Sequence, residues 1–315
     1  MSSGSFNAFI YTCESFTQAM HKGFEKILVL IDYSTAAIHA AEEASELAAR
    51  FGSELHLLHI INSAPTVYTF LSGGHYYNEE STSKDSNAGD SFSLNSLQNK
   101  LIEKYSLVVK ATEEKGNLSD VIRNYVIKEN ISLVVVAGRK QSHLREFIFR
   151  SLAEQVVHLI NCEVLCIYPE SDFSKIKMLV IPVGGSIPKR KIRIAYELAK
   201  KFAANIHLIA LARNANGLKT EELKILMDTY RYIKDITNIP VQCSTVIGNS
   251  IAEAAMRYAK NIKADLILVN HESESKMKDT LLPRWRSDIV NHSTIPVLSV
   301  HPVMEQTGRN GFQAM

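Results

Sequence analysis

Residues 44–57 read ASELAARFGSELHL and residues 195–208 read AYELAKKFAANIHL, one helix-to-strand junction written twice in a single chain at a separation of 151 positions. Further matches follow in the same order. Gly116-Asn117 pairs with Gly248-Asn249, Tyr125 with Tyr258, SLVVVAG (132–138) with DLILVNH (265–271), and EVLCIYP (163–169) with PVLSVHP (296–302), all at 132 or 133 positions. A repeat of this kind fixes the architecture, because each copy must build the same supersecondary unit. The fall in separation means that the first copy carries about 18 extra residues between its first and second matches. They are visible as Ser72 to Asp90, SGGHYYNEESTSKDSNAGD, a polar Gly/Ser-rich stretch that cannot bury apolar surface and reads as a flexible surface loop.

Within the first copy, Ile27-Leu28-Val29-Leu30-Ile31 is a continuous apolar run, as a strand covered on both faces requires. Ala37, Ala41, Ala44, Ala48 and Phe51 recur behind it at helical spacing. The pattern then predicts a strand at 55–61, a helix near 93–104, a strand near 107–111, a helix near 118–129, a strand at 133–137, a helix near 150–159 and a strand at 164–167. The second copy repeats this order from Met178 to His301. Strands alternating with helices imply an α/β fold, two tandem Rossmann-like domains, each a parallel sheet with helices on both faces. The expected division is an N-terminal extension (1–22), domain 1 (23–169, with the insertion 72–90), a charged Pro-containing linker, domain 2 (175–303) and a disordered tail (304–315).

The strand ending in Asp32-x-Ser34, the Ala-rich helix after it, the Gly116 and Gly248 turns with Asn117 and Asn249 as expected N-caps, and Ser151-Leu152-Ala153-Glu154 with the closing Glu163-Val164-Leu165 together resemble the universal stress protein family. The resemblance covers nearly the whole chain and implies, in each domain, a five-stranded parallel sheet of order 3-2-1-4-5 (adenine nucleotide alpha hydrolase-like). It also implies intramolecular pairing of the two domains through their fifth strands. The sequence itself contributes only that both fifth strands exist and would otherwise be open edges.

ATP-binding members of that family carry Gly-x-x-Gly, nine residues, then Gly-Ser/Thr after the fourth strand, and an acid after the first. Glycines there let backbone N–H groups approach phosphates beside a helix N-terminus. By that resemblance Asp32 meets a nucleoside, followed by Ser34, and Ser151 takes the motif serine's place. The three glycine positions then hold Ala137, Lys140 and Arg150, with Gly138 one residue out of register. The loop is cationic instead, through Arg139, Lys140, His143, Arg145 and Arg150. Such side chains offer a site for a small anionic ligand; the competing reading is a solvated basic loop. In domain 2 the acid becomes Gly184, the loop positions become Asn270, Ser273 and Pro283, and the serine becomes Arg284. Pro283 has no N–H to offer.

The remaining candidates are sparse. His56 and His207 recur at equivalent places and read as core histidines. No Ser-His-Asp order or His-Glu-x-x-His helix supports a hydrolase or a metal site. Cys13, Cys162, Cys166 and Cys243 lack metal-ligand spacing and read as reduced thiols. Trp285 reads as packing or as a partner contact. With 35 basic against 33 acidic side chains and a net charge of +2, nothing steers the chain toward nucleic acid or anionic membrane. No apolar run approaches the roughly 18 residues that a membrane helix needs. The expectation is a cytoplasmic, non-catalytic, stress-response binding module with degraded nucleotide loops, no resident cofactor and a protein partner of unknown identity. The alternative is an ATP-binding protein that uses domain 1 alone, through Asp32, Ser34, Gly138, Lys140 and Ser151.

Overall fold

A computed structural model describes residues 23–62, 93–138, 152–212, 217, 220–248, 250–270 and 293–301. The insertion 72–90, Lys140, Ser151, Asn249, Trp285, the segment 1–22 and the tail from 304 lie outside the described residues.

The first copy forms β1 (Lys26–Ile31), α1 (Thr35–Phe51), β2 (Glu54–Asn62), α2 (Leu94–Tyr105), β3 (Val109–Gly116), α3 (Leu118–Glu129), β4 (Leu133–Ala137), α4 (Leu152–Leu159) and β5 (Glu163–Ile167). A short 3-10 turn, Phe173–Lys175, leads into the second copy. That copy forms β6 (Met178–Pro182), α5 (Lys189–Phe202), β7 (Asn205–Ala212), α6 (Thr220–Ile236), β8 (Val241–Ile247), α7 (Ile251–Asn261), β9 (Leu266–Asn270) and β10 (Val297–Val300).

The strands join in one sheet, β3-β2-β1-β4-β5-β10-β9-β6-β7-β8. Each half therefore runs 3-2-1-4-5. Within a half every pairing is parallel, and the seam pairs β5 with β10 antiparallel, Leu165 opposite Leu298. The strands that would have been the open edge of each half cover one another, as the resemblance implies.

The apolar run of β1 explains the layering. Ile27, Val29 and Ile31 face one core, with residues of α1, α2, α5 and α6; Leu28 and Leu30 face the other, with residues of α3, α4 and α7. Successive side chains on a strand point to opposite faces, so a run with no polar member has to be covered twice. Both cores cross the seam: Leu165 and Leu298 share the first, Val164 and Val297 the second.

Two local expectations are corrected. β3 spans Val109–Gly116 rather than residues near 107–111. It continues through Thr112-Glu113-Glu114-Lys115 because an outer strand pairs on one side only and keeps charged side chains in water. The N-cap of the second copy also falls elsewhere than expected. Asn117 does cap α3, accepting from Ser119 N–H at 2.9 Å. In the second copy the N-cap of α7 is Ser250, one residue beyond Asn249, and it makes no side-chain cap bond.

Candidate functional site

In an open parallel sheet the ligand crevice lies beyond the carboxyl ends of the strands, where the strand order reverses. Here that point falls between β1 and β4 in domain 1 and between β6 and β9 in domain 2.

In domain 1 the β1 end is a built structure. Asp32 Oδ1 accepts from both the backbone N–H (3.0 Å) and the hydroxyl (2.5 Å) of Ser34. Ser34 Oγ in turn accepts from Ala37 N–H at 3.2 Å and caps α1. The Asp-x-Ser spacing thus lets one serine start the helix and hold the carboxylate at the sheet edge. Between them Tyr33 adopts φ 57°, a left-handed conformation uncommon for a bulky residue.

Around Tyr33 gather residues that the sequence did not single out. Its ring lies 4.5 Å from that of His59, centroid to centroid. Its hydroxyl donates to Glu113 Oε1 at 2.9 Å. Burial, reinforced by the Glu113 carboxylate, pushes the Tyr33 phenol up to about 12. His59 Nδ1–H donates to Ile31 O at 2.8 Å. A cavity of about 300 Å³ lined by Ser93, Leu94, Asn95, Ala111 and Glu113 adjoins this group. The strand register was the missing signal: Ile31 lies opposite His59, and His59 opposite Glu113.

Gly138 sits at the β4 end of the same crevice, its N–H bonded to Ile167 O at 2.6 Å. A Cβ there would lie 2.5 Å from the Tyr168 ring and 2.9 Å from Cys166 Sγ. The packing of buried Tyr168 therefore requires this glycine, whatever else passes over it. The structure brings Asp32 and Ser34 together and sets Gly138 at the end of the neighbouring strand; Lys140 and Ser151 lie outside the described residues.

Domain 2 inverts the electrostatics of this corner. Where domain 1 has its acid, β6 is followed by Val183-Gly184-Gly185-Ser186, a tight loop closed by Ser186 N–H to Gly184 O (2.9 Å), with Gly185 at φ 74°. Lys191 enters from α5 and donates its ammonium to Pro182 O at 2.6 Å while only 1% exposed. The matching position of domain 1, read through the helix repeat, is Ala40. A buried cation thus lies beneath the domain 2 strand end, and a half-buried carboxylate marks that of domain 1.

The recurring histidines are bonded inside their own halves. His56 Nδ1 and Tyr125 Oη lie 3.0 Å apart, with Thr112 Oγ1 at 3.2 Å from the same phenol. His207 Nδ1 and Tyr258 Oη lie 3.1 Å apart, with Ser244 Oγ at 2.9 Å. Burial lowers both imidazoles, and at His56 the Glu54 carboxylate partly opposes this. The thiols of Cys162 and Cys166 are pushed up to about 12 by burial. Among the described residues no cluster of His, Cys, Asp or Glu is arranged to hold a metal ion. Among them also, no helix is long and apolar enough to cross a membrane.

Two doubly wound α/β units sharing one sheet, each reversing its strand order at one point, define a tandem Rossmann-like fold. The universal stress protein family matches the chain twice, over residues 23–167 and 175–301. Universal stress protein YxiE of Bacillus subtilis is 30% identical over 147 residues, covering 46% of this chain and 99% of that protein. Universal stress protein A homolog 1 of Coxiella burnetii is 28% identical over 150 residues, covering 46% and 96%. The crystal structure of a universal stress protein from Archaeoglobus fulgidus superposes on 88% of this chain and 98% of its own at a TM-score of 0.64 and 16% identity, a likeness of fold. The chain belongs to the universal stress protein family, as a member with two tandem domains.

Proposed function

We propose that this chain is a stress-response module that acts in the cytoplasm by binding and has no catalysis of its own. The observation that carries this is the divergence of the two crevices on an intact fold. Domain 1 keeps a clamped carboxylate, whereas domain 2 has replaced it with Gly184 and buried the Lys191 ammonium next to it. At Gly138 the missing side chain is demanded by Tyr168 and so argues little for a phosphate cradle. Domain 2 then serves chiefly as scaffold, joined rigidly to domain 1 through β5 and β10. Mass spectrometry of small molecules released from the purified full chain tests this. Less than one nucleotide per domain is expected; ATP recovered at one equivalent in both domains overturns it.

A second reading is favoured by one feature, the fixed geometry of Asp32. An adenine nucleotide would bind in domain 1 alone, with Asp32 toward the nucleoside, Ser34 holding that carboxylate, and Gly138, Lys140 and Ser151 near the phosphates. A ligand present at 100 times its Kd raises stability by about 2.7 kcal/mol. A thermal-shift titration with ATP and magnesium that moves the midpoint in the parent chain but not in Asp32→Ala or Lys140→Ala selects this reading. A flat titration removes it.

A further inference from the structure

The ten-stranded sheet ends in two outer strands of opposite character. β3 carries Lys110, Glu113, Glu114 and Lys115, the charges with which natural sheets keep their edges from pairing. β8, Val241-Gln242-Cys243-Ser244-Thr245-Val246-Ile247, carries no charge and no proline and is half composed of β-branched residues. We propose that two copies of the chain associate edge to edge through β8, antiparallel and about a two-fold axis at Ser244. The inference is independent of any ligand reading.

The hydrogen bonds to β7 show which backbone groups are available. Ile206 N–H donates to Pro240 O, and Gly248 N–H donates to Ala212 O. Groups alternate sides along a strand, so the even-numbered residues of β8 face β7. Val241, Cys243, Thr245 and Ile247 aim their N–H and C=O groups away from the sheet, and no strand among the described residues covers them. The Ile247 carbonyl, at the C-terminal end, accepts from the Arg257 guanidinium at 2.5 Å, which leaves the groups of Val241, Cys243 and Thr245 and the Ile247 N–H to pair. A second β8 laid antiparallel and centred on Ser244 sets Cys243 opposite Thr245 and Val241 opposite Ile247, so each outward residue meets an outward residue. Such an arrangement is self-complementary, as a two-fold interface must be, and brings no like charges together. The flank is apolar as well: Ile247 is 54% exposed, and α6, which packs on β7 and β8, exposes Leu223 and Met227. The molecule already uses this mode of joining once, where the equivalent strands β5 and β10 pair antiparallel at the seam. A second copy is therefore the occupant that fits, in preference to a foreign strand.

Sedimentation equilibrium of the full chain over a wide concentration range is the test. The apparent mass is expected to rise from 35.2 kDa toward twice that value with concentration. Thr245→Pro removes one outward N–H and leaves the β7 ladder whole, a position at which edge strands accept proline. It should hold the mass at that of one chain with an unchanged far-UV circular dichroism spectrum. Thr245→Lys, which keeps the backbone and adds like charges on either side of the axis, should do the same. A single-chain mass for the parent at every concentration overturns the proposal, and so does a dimer that survives both substitutions.

Discussion

The guanidinium of Arg50, at the end of α1, lies over the ring of Phe202, at the end of α5, 4.6 Å from its centroid. The contact has a mirror: the Lys201 ammonium lies 5.7 Å from the centroid of Phe51. Arg50-Phe51 and Lys201-Phe202 are the same two positions of the repeat, so each half offers its cation to the other half's ring. Such contacts are worth about 0.5–2 kcal/mol depending on desolvation. Arg50 also donates to Ser174 O in the linker and pairs with Glu46. Arg50→Ala should therefore lower the urea-unfolding free energy by about 1–2 kcal/mol, and Lys201→Ala by less. Equal losses would mean that the two cations are interchangeable.

The seam also holds an ion pair between a buried carboxylate and a partly exposed guanidinium, the Arg190 side chain being 28% exposed. Glu163 of β5 is 4% exposed and bonds Arg190 of α5 at 2.5–2.8 Å. Removing the guanidinium strands the Glu163 carboxylate, at a cost of about 1–3 kcal/mol, less than for a fully enclosed pair because water reaches the Arg190 side. Arg190→Met should fall in that range in denaturant unfolding. The double variant Glu163→Leu with Arg190→Met should recover most of the loss, because no unpaired charge is then left behind.

Burial holds His207 below its ordinary value of 6.5, and His56 moves the same way. An imidazole depressed on folding binds fewer protons in the folded state than in the unfolded one. Stability therefore rises with pH between the folded value and about 6.5, is level above that, and is lost as the solution is acidified. Each histidine contributes at most about 1.4 kcal/mol per pH unit. Unfolding midpoints measured from pH 7.5 to pH 5 should fall, and His207→Gln should flatten the slope.

Gly138→Ala forces a methyl group to within 2.5 Å of the Tyr168 ring. Overpacking of this kind costs about 1–3 kcal/mol. Tyr168→Leu should absorb much of that cost in the double variant, as a thermal-melt cycle would show. A phosphate-cradling role for Gly138 would instead appear as lost ligand binding that Tyr168→Leu does not restore.

With their thiols near 12 and their side chains in the core, Cys162 and Cys166 should resist alkylation by iodoacetamide at pH 8 while the chain is folded. Both should react once urea unfolds it. Reaction of either in the native state would show that the seam opens.

Much of this molecule is legible in its sequence, for a local reason. The 151-residue echo of ASELAARFGSELHL, the unbroken apolar run 27–31 and the helical alanines each depend only on near neighbours along the chain. They fix two α/β copies, and Asp32-x-Ser34 fixes the strand-to-helix corner of the first. Register and the seam are properties of the packed sheet, and tertiary structure alone decided them. Only in the folded chain does Ile31 stand opposite His59 and His59 opposite Glu113, forming the Tyr33 corner from three separate strands and loops. The fold likewise turned a lysine on an ordinary-looking helix into the buried Lys191, and gave Gly138 its reason in a tyrosine 30 positions away. It also extended β3 through charged residues that hydropathy assigns to water, since an outer strand needs only one neighbour. Short-range periodicity sets which elements form; the meeting of side chains distant in sequence is set by burial and hydrogen bonding that exist only once the sheet is assembled.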